Sequence, residues 1–355
     1  MKANGAFFTE TQGWERPGWF APAGVSPEIT YSFGRQNWFD YAQTEQKAAR
    51  EDVAMIDYSM LGKLMVQGIC INDMSMKTGR VTYTLMLDER GGIESDVTVA
   101  RHGDESFMVM SSISHTRRDF LHLQDHIQAG EDVQLRDVTT SFGVLGLLGP
   151  KSRAVLASVC DIDLANEAFR FNSFQSFYIG HAKVTAQRLS YTGELGWEIF
   201  VTPDFAEHVF DVLMEAGQAH GLRLIGGEAL NGLRIEKGFV HWGQDMAYTE
   251  APHQIGLDFA CKANKAIPFI RRDAYLARKE AAIGPYLCSI KLSDPQPLLH
   301  HNEPVLRNGT RHVKTIGTGT AFIDGGVDVR HFAIEPPQQS LAHSGVVHTD
   351  EGLHA

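Results

Sequence analysis

The chain has 355 residues, 43% hydrophobic and 21% charged, with a formal net charge of −11 from 32 basic against 43 acidic residues. That length buries a large core and predicts two or three domains, while the acidic balance argues against nucleic acid, whose affinity is mostly phosphate neutralisation. No apolar run reaches membrane-span length, Met1 to Phe20 reads as neither secretory signal nor transit peptide, and the widely spaced Cys70, Cys160, Cys261 and Cys288 read as thiols in a reducing compartment, so a cytoplasmic protein without a membrane partner is expected.

Residues 1–30, with Trp14-Glu15-Arg16-Pro17-Gly18-Trp19-Phe20, read as an extended arm packed on a later domain. Trp38 to Ala54 predicts a helix, with Phe39, Ala42 and Ala48 near one face. Strand patterns follow at Leu64–Val66, Arg80–Thr84, Asp96–Ala100 and Phe107–Met110, with turns at Asp88–Gly92 and His102–Asp104, which makes a meander. Ser114 reads as the N-cap of a helix through Ile127, with Phe120, Leu123 and Ile127 on one face. Phe142–Leu148 is a buried strand ending in Gly149-Pro150, and a helix is expected over Lys151–Val159. Strands at Val184–Leu189 and Trp197–Val201 flank a loop, and Pro203 opens a helix with Phe205, Val209 and Leu213 in step. Leu222–Ile225 is a short strand, followed by a helix Glu228–Lys237 that Gly238 stops. Asp273–Glu280 is helical, Tyr286–Leu292 is a strand, and the polar stretch toward Ala355 reads as a disordered end. Short helices interleaved with antiparallel sheet define an α+β class.

The loop before the Trp197 strand carries the chemistry: Tyr191-Thr192-Gly193-Glu194-Leu195-Gly196-Trp197-Glu198. A two-glycine turn lets backbone come close, a carboxylate accepts paired N–H donors and a phenol closes one edge, which suits a flat polar heterocycle. Of the histidines, His122 and His126 stand four apart on a helix, a zinc-compatible spacing for which no third ligand is evident.

This stretch resembles the Y-T-G-E-x-G-x-E segment of the tetrahydrofolate-binding aminomethyltransferase family, the glycine cleavage T-protein and its relatives. The likeness extends from about Gly5 to Leu306, and several further stretches resemble the folate-binding C-terminal halves of sarcosine and dimethylglycine dehydrogenases and oxidases. These are Gly13-Trp14-Glu15-Arg16-Pro17, Asp88-Glu89-Arg90-Gly91-Gly92-Ile93-Glu94, Leu148-Gly149-Pro150-Lys151-Ser152-Arg153, Arg234-Ile235-Glu236-Lys237-Gly238 and His241-Trp242-Gly243 with Asp245. The resemblance implies a multi-domain folate-binding aminomethyltransferase fold over 1–267, antiparallel sheets with flanking helices and with 50–135 inserted as a subdomain. A C-terminal β-barrel-like domain would begin over 268–312, left incomplete by a divergent tail at 313–355. It implies transfer of a methylene unit from an oxidised methylamine such as dimethylglycine or sarcosine to tetrahydrofolate, giving 5,10-methylenetetrahydrofolate. A separate flavoprotein would supply the oxidised amine, since no G-x-G-x-x-G stands near the start and no FAD domain is expected.

By the same resemblance Asp96 is the catalytic carboxylate, able to accept a proton and stabilise a developing cation; local pattern alone favours the plainer reading that it starts a strand after the Gly91-Gly92 turn. Glu198 would anchor the pterin ring, with a rim carboxylate as the alternative, and Tyr191 and Tyr83 would lie at the ring or pack. Arg234 falls where the family has a basic group near folate, or else pairs with Glu228 or Glu236. Two departures stand out. Ile69-Cys70-Ile71 fills an interval where the family has a helix of about ten residues, and from Arg311 the tail leaves the family's barrel pattern. The competing readings are a folate-dependent demethylase yielding methyl-tetrahydrofolate, a non-catalytic folate-binding protein, and a decayed remnant.

Overall fold

The computed structural model describes residues 1–32, 34–68, 76–265 and 268–281, and four later strands at 286–290, 304–307, 310–316 and 345–349. The interval 69–71, where a family helix is missing, lies outside the described residues. Of the tail at 313–355, the described parts are 313–316 and 345–349, and both are strand.

The N-terminal residues form a hairpin rather than an extended arm: β1 (Ala6–Thr11) pairs antiparallel with β2 (Trp14–Phe20). Gln12 and Gly13 turn it with φ of 54° and 80°, the doubly left-handed conformation that matches strand twist. Gln-Gly is not one of the strong hairpin pairs, so the turn is hard to see in the sequence. Helix α1 (Phe39–Glu51) follows and packs Trp38, Phe39 and Ala42 against Trp19 of the hairpin. Trp19 is fully buried, which contributes about 2–3 kcal/mol relative to leaving it in water.

β3 (Ala54–Asp57) then enters the central six-stranded sheet, and the chain leaves to build a second sheet. That sheet holds β4 (Gly62–Gly68), β5 (Val81–Leu87), β6 (Ile93–Gly103), β7 (Ser106–Ser111) and, after helix α2 (Thr116–Asp125), β8 (Val133–Asp137). Its order is β5-β6-β7-β4-β8, antiparallel throughout. α2 starts one residue later than Ser114 would cap it. His115 is the N-cap residue and makes no side-chain cap bond, while the Ser114 hydroxyl hydrogen-bonds that of Ser112 and Thr116 Oγ1 donates to Ser112 O.

The chain returns with β9 (Gly143–Leu148), α3 (Ser152–Ala157), β10 (Phe174–Ile179), β11 (Ala182–Gln187), β12 (Gly196–Val201), α4 (Pro203–Gly217), β13 (Arg223–Leu224) and α5 (Gly227–Glu236). The sheet order is β10-β11-β12-β9-β3-β13, with β13 parallel to β3 and the other pairs antiparallel. α6 (Arg272–Ala281) then closes a smaller cluster around Leu87, Ile93, Ile255 and Tyr275. The last strands, β14 (Tyr286–Ile290), β15 (Pro304–Arg307), β16 (Thr310–Ile316) and β17 (Gly345–Thr349), join in the order β14-β17-β16-β15.

The period-two alternation of strands sorts the cores into layers. Trp197, Ile199 and Val201 of β12 meet Val209 and Leu213 of α4 on one face of the six-stranded sheet. The other face, with Ile56, Val144, Leu148 and Phe200, meets Val81, Ala100, Met108 and Met110 of the second sheet and Leu233 of α5. Val97, Val99 and Phe107 look the opposite way, onto Phe120 and Leu123 of α2. The layer between the two sheets is where the polar residues of the motif collect.

Candidate functional site

The motif loop is held from behind by a residue far away in sequence. Arg50 on α1 donates to Glu194 Oε1 at 2.6 Å, to Thr192 O at 2.8 Å, to Glu236 Oε2 at 2.8 Å and to Leu233 O at 2.9 Å. Lys237 adds a second ion pair to Glu194 at 3.2 Å. Gly193 sits at φ 71°, and a Cβ there would lie 2.4 Å from Lys237 Cγ, so the turn requires glycine. Of the two carboxylates that frame the loop, Glu194 is thus consumed in fixing it.

Glu198 is different. It is 6% exposed and its carboxyl accepts no hydrogen bond from the described residues, and burial pushes that carboxyl up to about 8. Its β12 position puts it on the face of Phe200, toward the second sheet. Across the sheet it stands level with Gln187 on β11 and Gly146 on β9, and Gly146 with Ile56 on β3. Gly146 leaves a gap into which the ring of Tyr58 folds; a Cβ at 146 would come 2.7 Å from Tyr58 Cε2. The Tyr58 hydroxyl and the Gln187 amide oxygen are both buried without a hydrogen-bond partner. Burial holds the Tyr58 phenol well above its ordinary range, and the nearby Glu198 and Tyr191 add to this. Gln187 Nε2 reaches only the sulfur of Met110, at 3.6 Å.

From the facing sheet come Asp96 and Tyr83. They lie on the same side as Ala100 and Val81 by strand alternation, and Tyr83 Oη donates to Asp96 Oδ2 at 3.0 Å. Burial raises the Asp96 carboxyl to about 6; the Tyr83 hydrogen bond opposes this, Asp119 adds to it and Arg118 lowers it. The underside of β6 is braced by buried Asp119, which accepts from Ser95 Oγ at 2.9 Å and also from Ser111 Oγ. Arg118 stacks 4.0 Å over Trp242, whose indole N–H donates to Ile93 O at 2.8 Å. Tyr191 feels Asp96, and Tyr83 feels Tyr191, so the phenols and the two acids share one neighbourhood. The Tyr191 hydroxyl itself is spent on Val240 O at 2.7 Å, leaving its ring, stacked with half-exposed Phe239, as what it offers. Exposed Phe259 stacks likewise on Tyr83.

Arg234 takes the paired arrangement, with Asp245 instead of Glu228 or Glu236. It is 1% exposed, and all five guanidinium N–H groups are engaged, by Asn231 twice, Phe239 O, Gln244 and Asp245. It has no donor left for a ligand and shapes the wall behind Tyr191. His122 and His126 lie side by side, and among the described residues no group of three His, Cys, Asp or Glu could hold a metal ion. Among the described residues, too, no helix is long and apolar enough to cross a membrane. The sequence reading brought together Asp96, Glu198, Tyr191 and Tyr83; it missed Tyr58, Gln187 and Arg50. For Tyr58 and Gln187 the only sequence signal is a polar residue at an apolar strand, and Arg50 is one charged residue among several on α1.

The fold is that of an aminomethyltransferase-type protein. The chain superposes on the crystal structure of glycine cleavage system aminomethyltransferase T from Bartonella henselae with a TM-score of 0.76 at 20% identity, covering 99% of this chain and 94% of that one. It belongs to the family of the GCVT N-terminal domain, which matches residues 1–265. It is 37% identical over 314 residues to 4-methylaminobutanoate oxidase (formaldehyde-forming) of Paenarthrobacter nicotinovorans, covering 86% of this chain and 38% of that protein. Human mitochondrial sarcosine dehydrogenase is 32% identical over 372 residues, covering 91% of this chain and 40% of that protein. The chain thus spans about two fifths of the length of these two relatives.

Proposed function

We propose that this chain is a tetrahydrofolate-dependent one-carbon transferase that takes a methylene unit from an oxidised methylamine made by a flavoprotein. The observation that carries the reading is the facing pair: Asp96, held by Tyr83 from one sheet, and Glu198, buried and unpaired on the other. Two of the relatives are named as enzymes that oxidise methylamino substrates, which supports the donor class.

The residues fit a pterin. A buried carboxylate without a partner suits paired N–H donors, and the orphaned oxygens of Tyr58 and Gln187 flank it. Tyr191 and Phe239 supply an aromatic wall. Tetrahydrofolate, when bound, supplies the nitrogens between which the transferred carbon ends. Asp96 does the remaining work. Raised to about 6, it is still mostly ionised at neutral pH, yet basic enough to take the proton an attacking amine loses and to return it to the demethylated amine as the old C–N bond breaks. Its negative charge also stabilises the iminium as it approaches. Tyr83 fixes Oδ2 and so presents Oδ1 to the proton.

The test supplies a dimethylglycine- or sarcosine-oxidising flavoprotein in trans and measures methylene-tetrahydrofolate against free formaldehyde. Asp96→Asn should cut transfer by roughly 10²-fold or more, with formaldehyde rising and calorimetric folate binding retained. Equal partition in wild type and mutant would remove Asp96 from the mechanism.

A further inference from the structure

The mechanism leaves unused a phenol that the fold has gone out of its way to place. Tyr58 follows β3 directly, is 3% exposed, and its hydroxyl has no partner. A buried hydroxyl without a hydrogen bond is unfavourable, so folding alone would favour phenylalanine there. The ring reaches its place only because residue 146 on the intervening strand has no side chain. Glu198, Gly146 and Ile56 form one cross-sheet row, and the Tyr58 ring bends back over the glycine toward Glu198. The hydroxyl therefore stands next to the carboxylate that the pterin reading assigns to the ring's N–H pair. It is not positioned by any bond of its own.

We propose that Tyr58 is a specificity residue that donates its O–H to the 4-oxo oxygen of the bound pterin, beside the N–H pair taken by Glu198. This rests on the folate reading above. A carboxylate accepts the two adjacent donors but makes no bond to the neighbouring 4-position, which is a carbonyl in folate and an amino group in its 4-amino analogue; the analogue also lacks the ring N3–H, so it forfeits part of the Glu198 contact as well. A hydroxyl fixed beside the carboxylate reads that third position. Sites built to hydrogen-bond a ligand discriminate strongly against analogues that leave the buried group unpaired. Gln187, on the other side of Glu198 in the same row, leaves the opposite flank polar as well.

The experiment is calorimetry of the whole chain with tetrahydrofolate and with its 4-amino analogue, on wild type, Tyr58→Phe and Glu198→Ala. Wild type should favour the 4-oxo ligand. Tyr58→Phe should weaken tetrahydrofolate by about tenfold while leaving the analogue nearly unchanged, so that the preference shrinks by that factor and the remainder is what Glu198 contributes through the N3–H. The thermal midpoint of the ligand-free Tyr58→Phe protein should equal or exceed that of wild type, because the change removes an unpaired buried hydroxyl. An unchanged preference in Tyr58→Phe would make Tyr58 a core filler and overturn the proposal, as would a lower ligand-free midpoint, which would mean the hydroxyl already has a partner. Wild type that binds neither ligand, or binding indifferent to Glu198→Ala, would instead overturn the folate reading and this proposal with it.

Discussion

Glu198 carries a proton at neutral pH in the free protein, since burial lifts its carboxyl to about 8. Pairing with two N–H donors needs the carboxylate. Ligand binding near pH 7 must therefore release a proton, and affinity should climb with pH up to about 8. Calorimetry in two buffers of different ionisation enthalpy reads that proton, and Glu198→Gln should abolish it. Stability of the free protein runs the other way. An acid whose folded pKa is raised from 4.5 to about 8 stabilises fully below 4.5, and that contribution is lost as pH rises through 8. Asp96, raised to about 6, and Glu228, raised to about 7, act in the same sense. The ligand-free midpoint should fall from pH 5 to pH 8, and fall less in Glu198→Gln; a flat profile in both proteins would mean that Glu198 is not desolvated. At this scale the sequence was most informative where a loop motif concentrates chemistry, at Tyr191 and Glu198. Tyr58 was invisible because it meets Glu198 only through the register of three strands, which no local pattern encodes.

The loop from Tyr191 to Gly196 is an element whose shape depends on α1. Arg50 is partly buried and serves two carboxylates and two carbonyls at once. Removing one member of such a network leaves the others desolvated and unpaired. Arg50→Leu should destabilise by about 3 kcal/mol in urea titrations and weaken folate binding although Arg50 is not offered to the ligand. Unimpaired binding in a folded Arg50→Leu protein would show that the loop holds itself. Most elements could be read from periodicity: α1, the meander of β5 to β7, the buried β9 and β12, and α4 with its leading Pro203. Two of those that escaped lack a hydrophobic signal. β8 is an edge strand with its residues largely outward, and β10 has only Phe177 and Ile179 fully inside. The hairpin of β1 and β2 escaped because its core contacts lie on α1 and α5, well beyond any sequence window.

Across the whole molecule, Glu45 joins parts that the sequence keeps far apart. Its two oxygens accept the backbone N–H of Phe20 at 2.7 Å and of Gly226 at 2.8 Å, so the N-terminal hairpin, α1 and the start of α5 meet at one carboxylate. The layered order of hairpin, helices and two sheets therefore depends on long-range contacts more than on local ones. The second sheet runs from Gly62 to Asp137 while β3 stays with the first. The placement of Glu198 on β12 carries a final consequence. β12 is buried along its whole length and bonded on both sides by β9 and β11. Amide hydrogens of such a strand exchange with solvent only when the molecule opens globally. A ligand that binds the folded state and not the opened one makes that opening costlier by its binding free energy, so the exchange protection of the entire six-stranded sheet rises with it. Saturating tetrahydrofolate should slow exchange in β9, β11 and β12 together, and unchanged exchange there would mean that the folded sheet does not bind it.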